Sequence, residues 1–173
     1  DQVSFDQLIG VTAVYARLVA AASGDRVAIF SENRPEWVYA FYAAWRKHAI
    51  PVPIDAMASV DEIAYILKDS TPVAVFVSPK NVETMEKAIA MAECQTKLIV
   101  FTDIAIPATI PDEDKVFPEA ADDDTAVIIY TSGTTGSPKG VMLSYENLRA
   151  NLIAVSEQVP IYKASDRVMI LLP

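Results

Sequence analysis

The sequence is short of several residue types, and each shortage argues against a class of protein. Cys94 is the only cysteine among 173 residues, so no internal disulfide can form, which fits a reducing compartment. Lysines and arginines number 14 against 23 aspartates and glutamates, and the net charge of −9 argues against nucleic-acid binding and against an anionic membrane surface. No apolar run approaches the roughly 18 residues of a membrane span. We therefore expect a cytoplasmic protein without a transmembrane segment or nucleic-acid partner, and keep peripheral attachment to a membrane as an alternative.

What the sequence does contain, up to about residue 102, is an alternation of amphipathic helices with short apolar strands. Capping boxes formed by Ser4 with Gln7 and by Ser59 with Glu62 predict the starts of two helices. Helices are predicted over residues 4–22, 33–48, 59–69 and 78–93, and strands over residues 26–30, 51–54, 73–77 and 97–101. Strands that alternate with helices in this way predict right-handed parallel units. The expected fold class is therefore α/β, with three layers and a mainly parallel sheet that has helices on both faces.

The second predicted helix has three features of interest. Asn33 is its predicted N-cap. Trp37, Phe41 and Trp45 are spaced four residues apart and share one face; this stripe is predicted to join the core, with contact to a membrane or an acyl chain as the alternative. His48, the only histidine, is expected to interact with the helix dipole rather than to act as a general base, because no serine or cysteine nucleophile is near it in the sequence.

Residues 103–124 interrupt the alternation, and their prolines and acidic runs predict a long exposed connection. The three consecutive aspartates at 122–124 lack the spacing of a calcium loop, so a solvated charge run is preferred over a metal site. The β-branched run at 126–129 predicts a strand that is buried on both faces. Residues 125–173 are predicted to form, in order, this strand, a loop, strand 141–143, helix 145–158 capped by Ser144, and strand 167–172.

The most informative stretch is that loop, Tyr130-Thr131-Ser132-Gly133-Thr134-Thr135-Gly136-Ser137-Pro138-Lys139-Gly140. Its glycines let the backbone turn sharply and expose N–H groups, which together can form a concavity that binds anions. Its hydroxyls add donors and Lys139 adds a positive charge, so the stretch suits the phosphates of a nucleotide. The Walker phosphate loop is not matched, because Lys139 is followed by Gly140 and not by serine or threonine. A phosphate-loop NTPase is therefore disfavoured.

The stretch resembles the signature loop of the adenylate-forming (AMP-binding) superfamily, which includes acyl-CoA synthetases, aryl-CoA ligases, luciferases and the adenylation domains of peptide synthetases. That loop has the pattern Tyr-Thr-Ser-Gly-Thr-Thr-Gly-x-Pro-Lys-Gly, and every fixed position is matched here. The resemblance extends along nearly the whole chain, and the segment at residues 33–37, Asn-Arg-Pro-Glu-Trp, is most similar to long-chain fatty acyl-CoA synthetases. There are two departures: His48 stands where the family usually has glycine, and Tyr145 stands where it often has histidine.

The resemblance implies an ATP-dependent acid–thiol ligase. A carboxylic acid, expected to be a fatty acid, would attack ATP to give an acyl-adenylate and pyrophosphate, and coenzyme A would then accept the acyl group. Gly133, Gly136 and Gly140 would open the backbone to the phosphates, Thr131 would lie nearest Mg²⁺, and Lys139 would either balance phosphate charge or fix the loop by pairing with a carboxylate. The resemblance assigns ATP binding to Thr131, Ser132, Gly133, Thr134, Thr135, Gly136, Ser137 and Lys139.

Members of that superfamily run to roughly three times this length, well beyond one domain. The chain is therefore expected to be the N-terminal part of an AMP-binding domain, to contain no catalytic residue and to be inactive alone. The adenylation module of a peptide synthetase and a non-catalytic nucleotide-binding module stay open as alternatives. A homodimer also stays open.

Overall fold

The computed structural model describes residues 3–105, 111, 116–131 and 138–158. The α-helices in these ranges are α1 (Phe5–Leu18), α2 (Pro35–Arg46), α3 (Val60–Ser70), α4 (Val82–Ala92) and α5 (Tyr145–Gln158). The strands are β1 (Arg26–Phe30), β2 (Ile50–Ile54), β3 (Ala74–Val77), β4 (Lys97–Val100), β5 (Thr125–Thr131) and β6 (Lys139–Ser144). Short 3₁₀ turns at Pro79–Asn81 and Phe101–Asp103 follow β3 and β4.

The first four strands form one parallel sheet in the order β2-β1-β3-β4. Helices α1 and α2 pack on one face, where the rings of Tyr15 and Phe76 stack with centroids 5.6 Å apart. Helices α3 and α4 cover the other face, where Ile63 and Met85 belong to the same core as Phe30. Each of these five side chains is at most 1% exposed. The predicted three-layer α/β fold with a mainly parallel sheet is confirmed.

Local capping signals determine where several helices begin. Both predicted capping boxes are formed, by Ser4 with Gln7 and by Ser59 with Glu62. Ser144 also caps α5 as predicted, since its hydroxyl oxygen accepts a hydrogen bond from the N–H of Asn147 at 3.2 Å. These side chains satisfy N–H groups that have no partner within the helix.

Two helices differ from the sequence prediction at one end. Helix α1 ends at Leu18 because Val19 turns to an extended conformation and is buried in the core. Helix α4 begins at Val82, after a 3₁₀ turn, and not at Ser78. The Ser78 hydroxyl donates to the carboxylate of Glu32 at 2.7 Å instead of capping the helix.

The N-cap of α2 was also predicted wrongly. Arg34 takes this position, not Asn33, and no side chain caps the helix there. The reason is steric, because the ring of Pro35 at the first helical position forces the preceding residue to be extended. At its other end α2 stops at Arg46, two residues before His48.

Strands β5 and β6 form a separate antiparallel hairpin. Ala126 and Val127 are buried, but Ile129 is 41% exposed, so the prediction that this strand is buried on both faces is wrong for its second half. Strand β5 lies alongside β2, the edge of the parallel sheet, yet in the described ranges no ladder joins the two strands.

The two prolines of β2 give a physical reason why no ladder joins β2 to β5 in the described ranges. Ile50 donates its N–H to the carbonyl of Asp25 at 2.7 Å, so Ile50 faces β1, and by strand alternation Val52 does the same. The backbone of Pro51 and Pro53 then faces the outer edge. Proline has no N–H, so this edge offers carbonyl oxygens but no donors from these positions. A regular ladder between β2 and β5 cannot form along it.

Within the described ranges, no helix is both long and apolar enough to cross a membrane. The predicted strand at 167–172 lies outside the described residues. The connection at 103–124 is described only at residues 103–105, 111 and 116–124, and its role as a boundary stays a prediction.

Candidate functional site

The predicted phosphate-binding loop leaves the end of β5 and returns at the start of β6. Thr131 and Lys139 are cross-strand partners, so they lie opposite each other at the base of the loop, and both are exposed. The other predicted site residues lie outside the described residues: Ser132, Gly133, Thr134, Thr135, Gly136 and Ser137. The structure thus brings together the first and last of the eight predicted residues.

A cavity of about 450 Å³ lies beside the base of the loop. Thr131 and Pro138 line it on the hairpin side, and Pro53 and Asp55, at the end of β2, line it on the sheet side. The cavity therefore lies at the carboxyl edge of the parallel strands, which is where open α/β sheets bind ligands.

Two carboxylates line this cavity, and hydrogen bonds within their own segments hold both. Asp55 Oδ1 accepts a hydrogen bond from the N–H of Met57 at 2.9 Å. Glu62 accepts hydrogen bonds from the backbone N–H and the hydroxyl of Ser59, each at 2.8 Å, and these bonds hold the pKa of Glu62 below its usual value. In the part of the chain that is described, no three ligating side chains come together as a metal site. A metal ion at this cavity would take most of its ligands from bound phosphates and water.

Lys139 is the cation at the base of the loop. Among the residues that the structure describes, no carboxylate forms an ion pair with it. Its charge is therefore available to an anion that enters beside Thr131.

Sequence reasoning missed the side chains that hold the hairpin in place. The hydroxyl of Tyr130 donates a hydrogen bond to Asp69 Oδ2 at 2.5 Å, which joins the base of the loop to the last turn of α3. At the other end of β5, the indole N–H of Trp45 donates to the carbonyl of Ala126 at 2.6 Å. Tyr130 could have been noticed as the first residue of the signature loop, but nothing in the sequence indicates a partner 61 residues away.

Gly140 lies directly across the hairpin from Tyr130. A Cβ atom at this glycine would lie 3.1 Å from Tyr130 Cζ and 3.0 Å from Ile128 Cγ2, both closer than side-chain packing normally allows. The structure therefore gives a packing reason for glycine at this position of the signature loop.

The two departures from the superfamily pattern, His48 and Tyr145, line one cavity of about 280 Å³. His48 has a φ of 52°, in the left-handed region that glycine adopts at lower cost. Burial and, to a smaller extent, the nearby carboxylate of Asp124 together raise the pKa of Tyr145 to about 12. Asp122, in the same acidic run, forms an exposed ion pair with Arg149 of α5 at 2.5 Å, so this run contacts the helix.

The aromatic stripe of α2 does not join the core as predicted: its three rings are half-buried, and Trp37 and Phe41 pack against the core from outside it. The rings of Trp37 and Phe41 stack at 5.3 Å and pack against the core on the α1 side of the sheet. Phe41 and Trp45 meet edge to face at 5.0 Å, and Trp45 lies 5.1 Å from the ring of Tyr145. The stripe thus continues from the sheet to the hairpin and α5.

Comparison with known proteins places this geometry among relatives. The family model described as AMP-binding enzyme matches residues 11–173. A fungal hybrid PKS-NRPS synthetase is 35% identical over 151 residues, which cover 86% of this chain and 4% of that protein. The crotonobetaine/carnitine–CoA ligase of Escherichia coli is 31% identical over 160 residues, which cover 83% of this chain and 30% of the ligase. The crystal structure of ATP-bound MatB from Rhodopseudomonas palustris matches with a TM-score of 0.75 at 26% identity, covering 91% of this chain and 32% of MatB. The chain spans about a third or less of the length of each of these proteins.

Proposed function

The chain belongs to the family of AMP-binding enzymes, and from that premise we propose that it is part of an ATP-dependent acid–thiol ligase and binds the phosphates of ATP. The observation that carries the proposal is the pairing of Thr131 with Lys139 at the base of the signature loop, beside a cavity at the carboxyl edge of the sheet. A hydroxyl, a cation and the backbone N–H groups of a glycine-containing loop are the groups that bind a polyphosphate.

The proposed reaction is the attack of a carboxylate on the α-phosphate of ATP, which gives an acyl-adenylate and releases pyrophosphate. Attack brings two anions together, so the enzyme must stabilise negative charge on the reacting and leaving groups with donors that are already in place. We propose that residues 131–137 and Lys139 stabilise the negative charge on the β- and γ-phosphates, which leave as pyrophosphate. In such phosphoryl chemistry the protein mainly positions and stabilises charge, which agrees with the absence of a proposed nucleophile in this chain.

Mg²⁺ is the proposed metal. When bound together with ATP, it would neutralise negative charge on the phosphates. Of the described residues, we assign the hydroxyl of Thr131 to its neighbourhood. The surroundings fit a magnesium ion carried in on phosphates, because the nearby carboxylates of Asp55 and Glu62 are held by local hydrogen bonds.

We propose a fatty acid as the acid substrate and coenzyme A as the thiol. The first assignment rests on the segment at residues 33–37 and its resemblance to fatty acyl-CoA synthetases. The second draws support from the Escherichia coli relative, which is itself a CoA ligase. The adenylation module of a peptide synthetase is a second candidate, and the 35% identity to the fungal hybrid PKS-NRPS synthetase favours it.

Residues 1–173 are proposed to be the N-terminal part of the AMP-binding domain, with alternating units up to 102, a connection at 103–124 and the phosphate-binding part after it. We expect the isolated chain to release no pyrophosphate, because the proposal assigns it only a binding loop.

The test is acid-dependent pyrophosphate release from ATP by the full-length protein that contains this chain, with fatty, aryl and amino acids offered in turn. We expect release with fatty acids, and a loss of about 10²-fold in Lys139→Ala if its charge acts on the leaving phosphates. Lys87→Ala is the matched control, because the side chain of Lys87 is exposed on the outer side of α4 and pairs there with Glu83. Its rate should equal that of the parent protein.

Three outcomes would change the proposal. Release only with amino acids would favour the peptide-synthetase alternative. No release with any acid, by a folded protein that still binds ATP, would favour a non-catalytic nucleotide-binding module. Turnover by the isolated chain would show that it contains more of the catalytic apparatus than we assign to it.

A further inference from the structure

We propose that Tyr130 and Asp69 are positioning residues for the phosphate-binding loop, and that their hydrogen bond fixes the base of the loop against α3. This inference rests on the proposed function for its effect on ATP, but its structural basis is independent of the reaction. The hairpin shares no ladder with the parallel sheet in the described ranges, so side-chain contacts must fix where Thr131 and Lys139 lie. Tyr130 is the residue next to Thr131, which makes it the contact closest to the loop.

The side chain of Tyr130, which is on β5, contacts both α3 and β6. Its hydroxyl reaches Asp69 on α3, and its ring lies so close to Gly140 on β6 that a methyl group there would meet Cζ at 3.1 Å and the hydroxyl oxygen at 3.3 Å. Gly140 is adjacent to Lys139, so Tyr130, which is itself adjacent to Thr131, contacts the neighbour of the other residue at the base of the loop. Moving this ring would move the two ends of the loop together.

Asp69 is a firm point of attachment because the end of α3 is itself fixed to the sheet. The guanidinium of Arg26, the first residue of β1, donates to the carbonyl of Ser70 at 2.7 Å and to the hydroxyl of Thr71 at 2.5 Å. These bonds hold the residues that directly follow Asp69. The loop is thus connected to β1 through two hydrogen-bonded steps.

The protonation state of Tyr130 is consistent with this role. Burial, followed by the hydrogen bond and the charge of Asp69, raises the pKa of the Tyr130 hydroxyl well above its usual value. The hydroxyl therefore keeps its proton and donates to the carboxylate throughout the neutral range. A hydrogen bond to a charged acceptor is stronger than one between neutral groups.

The experiment compares Tyr130→Phe, which removes only the hydroxyl, with Tyr42→Phe, which removes the hydroxyl of a 36% exposed tyrosine on α2. In the full-length protein we expect Tyr130→Phe and Asp69→Ala to raise KM for ATP about tenfold and to change kcat less than about threefold. The reason is that the lost interaction stabilises the ATP complex and the transition state equally. The double variant should resemble either single variant, since both remove the same bond. Asp69→Asn keeps an acceptor oxygen and should restore most of the ATP affinity.

A second readout does not depend on catalysis. Trypsin cleaves after Lys139 only when the hairpin opens locally, so loss of the Tyr130 hydrogen bond should speed cleavage there about 5- to 10-fold in this 173-residue chain. Tyr42→Phe should be cleaved at the original rate.

The two readouts separate the two hypotheses. Faster cleavage in Tyr130→Phe, in a protein that shows no acid-dependent turnover, would support the positioning role while refuting the proposed function. Normal turnover, normal KM for ATP and unchanged cleavage in Tyr130→Phe would refute the positioning role and leave the proposed function standing. A lower free energy of unfolding with unchanged KM and unchanged cleavage would show a merely structural contact and would also refute it.

Discussion

In the sheet unit, residues 3–103, apolar side chains are buried in two cores, whereas in the hairpin unit, residues 125–131 and 138–158, many of them are exposed. Phe76 and Ile63 in the sheet unit are fully buried. Met142 on β6 and Leu152 on α5 are 62% and 69% exposed. Both units nevertheless form their strands and helices close to the predicted positions. Capping, strand propensity and hairpin pairing are local properties, while burial depends on which elements face each other.

The largest expected effect comes from a core substitution that tests where the stability resides. Phe76→Ala removes a ring that stacks on both Tyr15 and Phe101 and should lower the free energy of unfolding by about 3–5 kcal/mol. Leu152→Ala removes an apolar side chain of the hairpin unit and should change it by less than about 0.5 kcal/mol, because that side chain is mostly exposed. Urea unfolding of the two variants measures this difference. A comparable loss in the free energy of unfolding for Leu152→Ala would mean that another part of the protein or a partner covers α5.

An intermediate effect is expected at the connection between the two units. Trp45→Phe leaves the buried carbonyl of Ala126 without its indole donor, which should cost about 1–2 kcal/mol. Hydrogen exchange should then accelerate in β5 and β6 while the amides of β1 and β3 keep their protection. Trp37→Phe, at the far end of the same aromatic stripe, is the matched control and should not speed exchange in the hairpin. Equal acceleration in the parallel sheet would show that the two units open together.

The smallest expected effect is a pH dependence confined to the sheet unit. Glu36 accepts two hydrogen bonds from the guanidinium of Arg34, at 2.9 and 3.0 Å, and these bonds hold the pKa of Glu36 below its ordinary value near 4.5. A carboxylate with a lowered folded pKa contributes stability that is fully present above the unfolded pKa and is lost as the pH falls through the folded value. In Glu36→Gln, the free energy of unfolding should therefore fall less steeply as the pH drops below about 4.5, and the difference from the parent protein should be less than about 1 kcal/mol. Glu157→Gln on α5 is the control, and an equally shallow pH dependence in that variant would contradict the assignment to Arg34.

Much of the sheet unit could be predicted from the sequence because its signals are local and agree with one another. The boxes at Ser4 and Ser59 start helices, and β-branched runs between helices give parallel strands. The misassigned N-cap at Asn33 came from ranking cap residues without weighing the steric effect of Pro35 on Arg34.

For the candidate site, the sequence predicted which residues are involved but not the contacts that position them. The signature loop indicated which residues to examine, and Thr131 and Lys139 are indeed brought together. The contact between Tyr130 and Asp69 could not be predicted, because it joins residues 61 positions apart and depends on how the hairpin lies against α3. The burial of β5 was overestimated for the same reason: an apolar run indicates a strand, and the neighbours in space decide how many faces are covered.

The prolines of β2 have a consequence for the newly made chain. Synthesis runs from the N-terminus, so the sheet unit can fold before β5 has been produced, while the outer edge of β2 is still bare. An uncovered edge strand normally serves as a template for intermolecular β-pairing and aggregation. Pro51 and Pro53 present no N–H groups on that edge, so a strand from a neighbouring molecule would find too few donors to attach. The same two residues that keep the hairpin out of the parallel sheet would thereby protect the nascent protein from aggregation until the hairpin covers the edge.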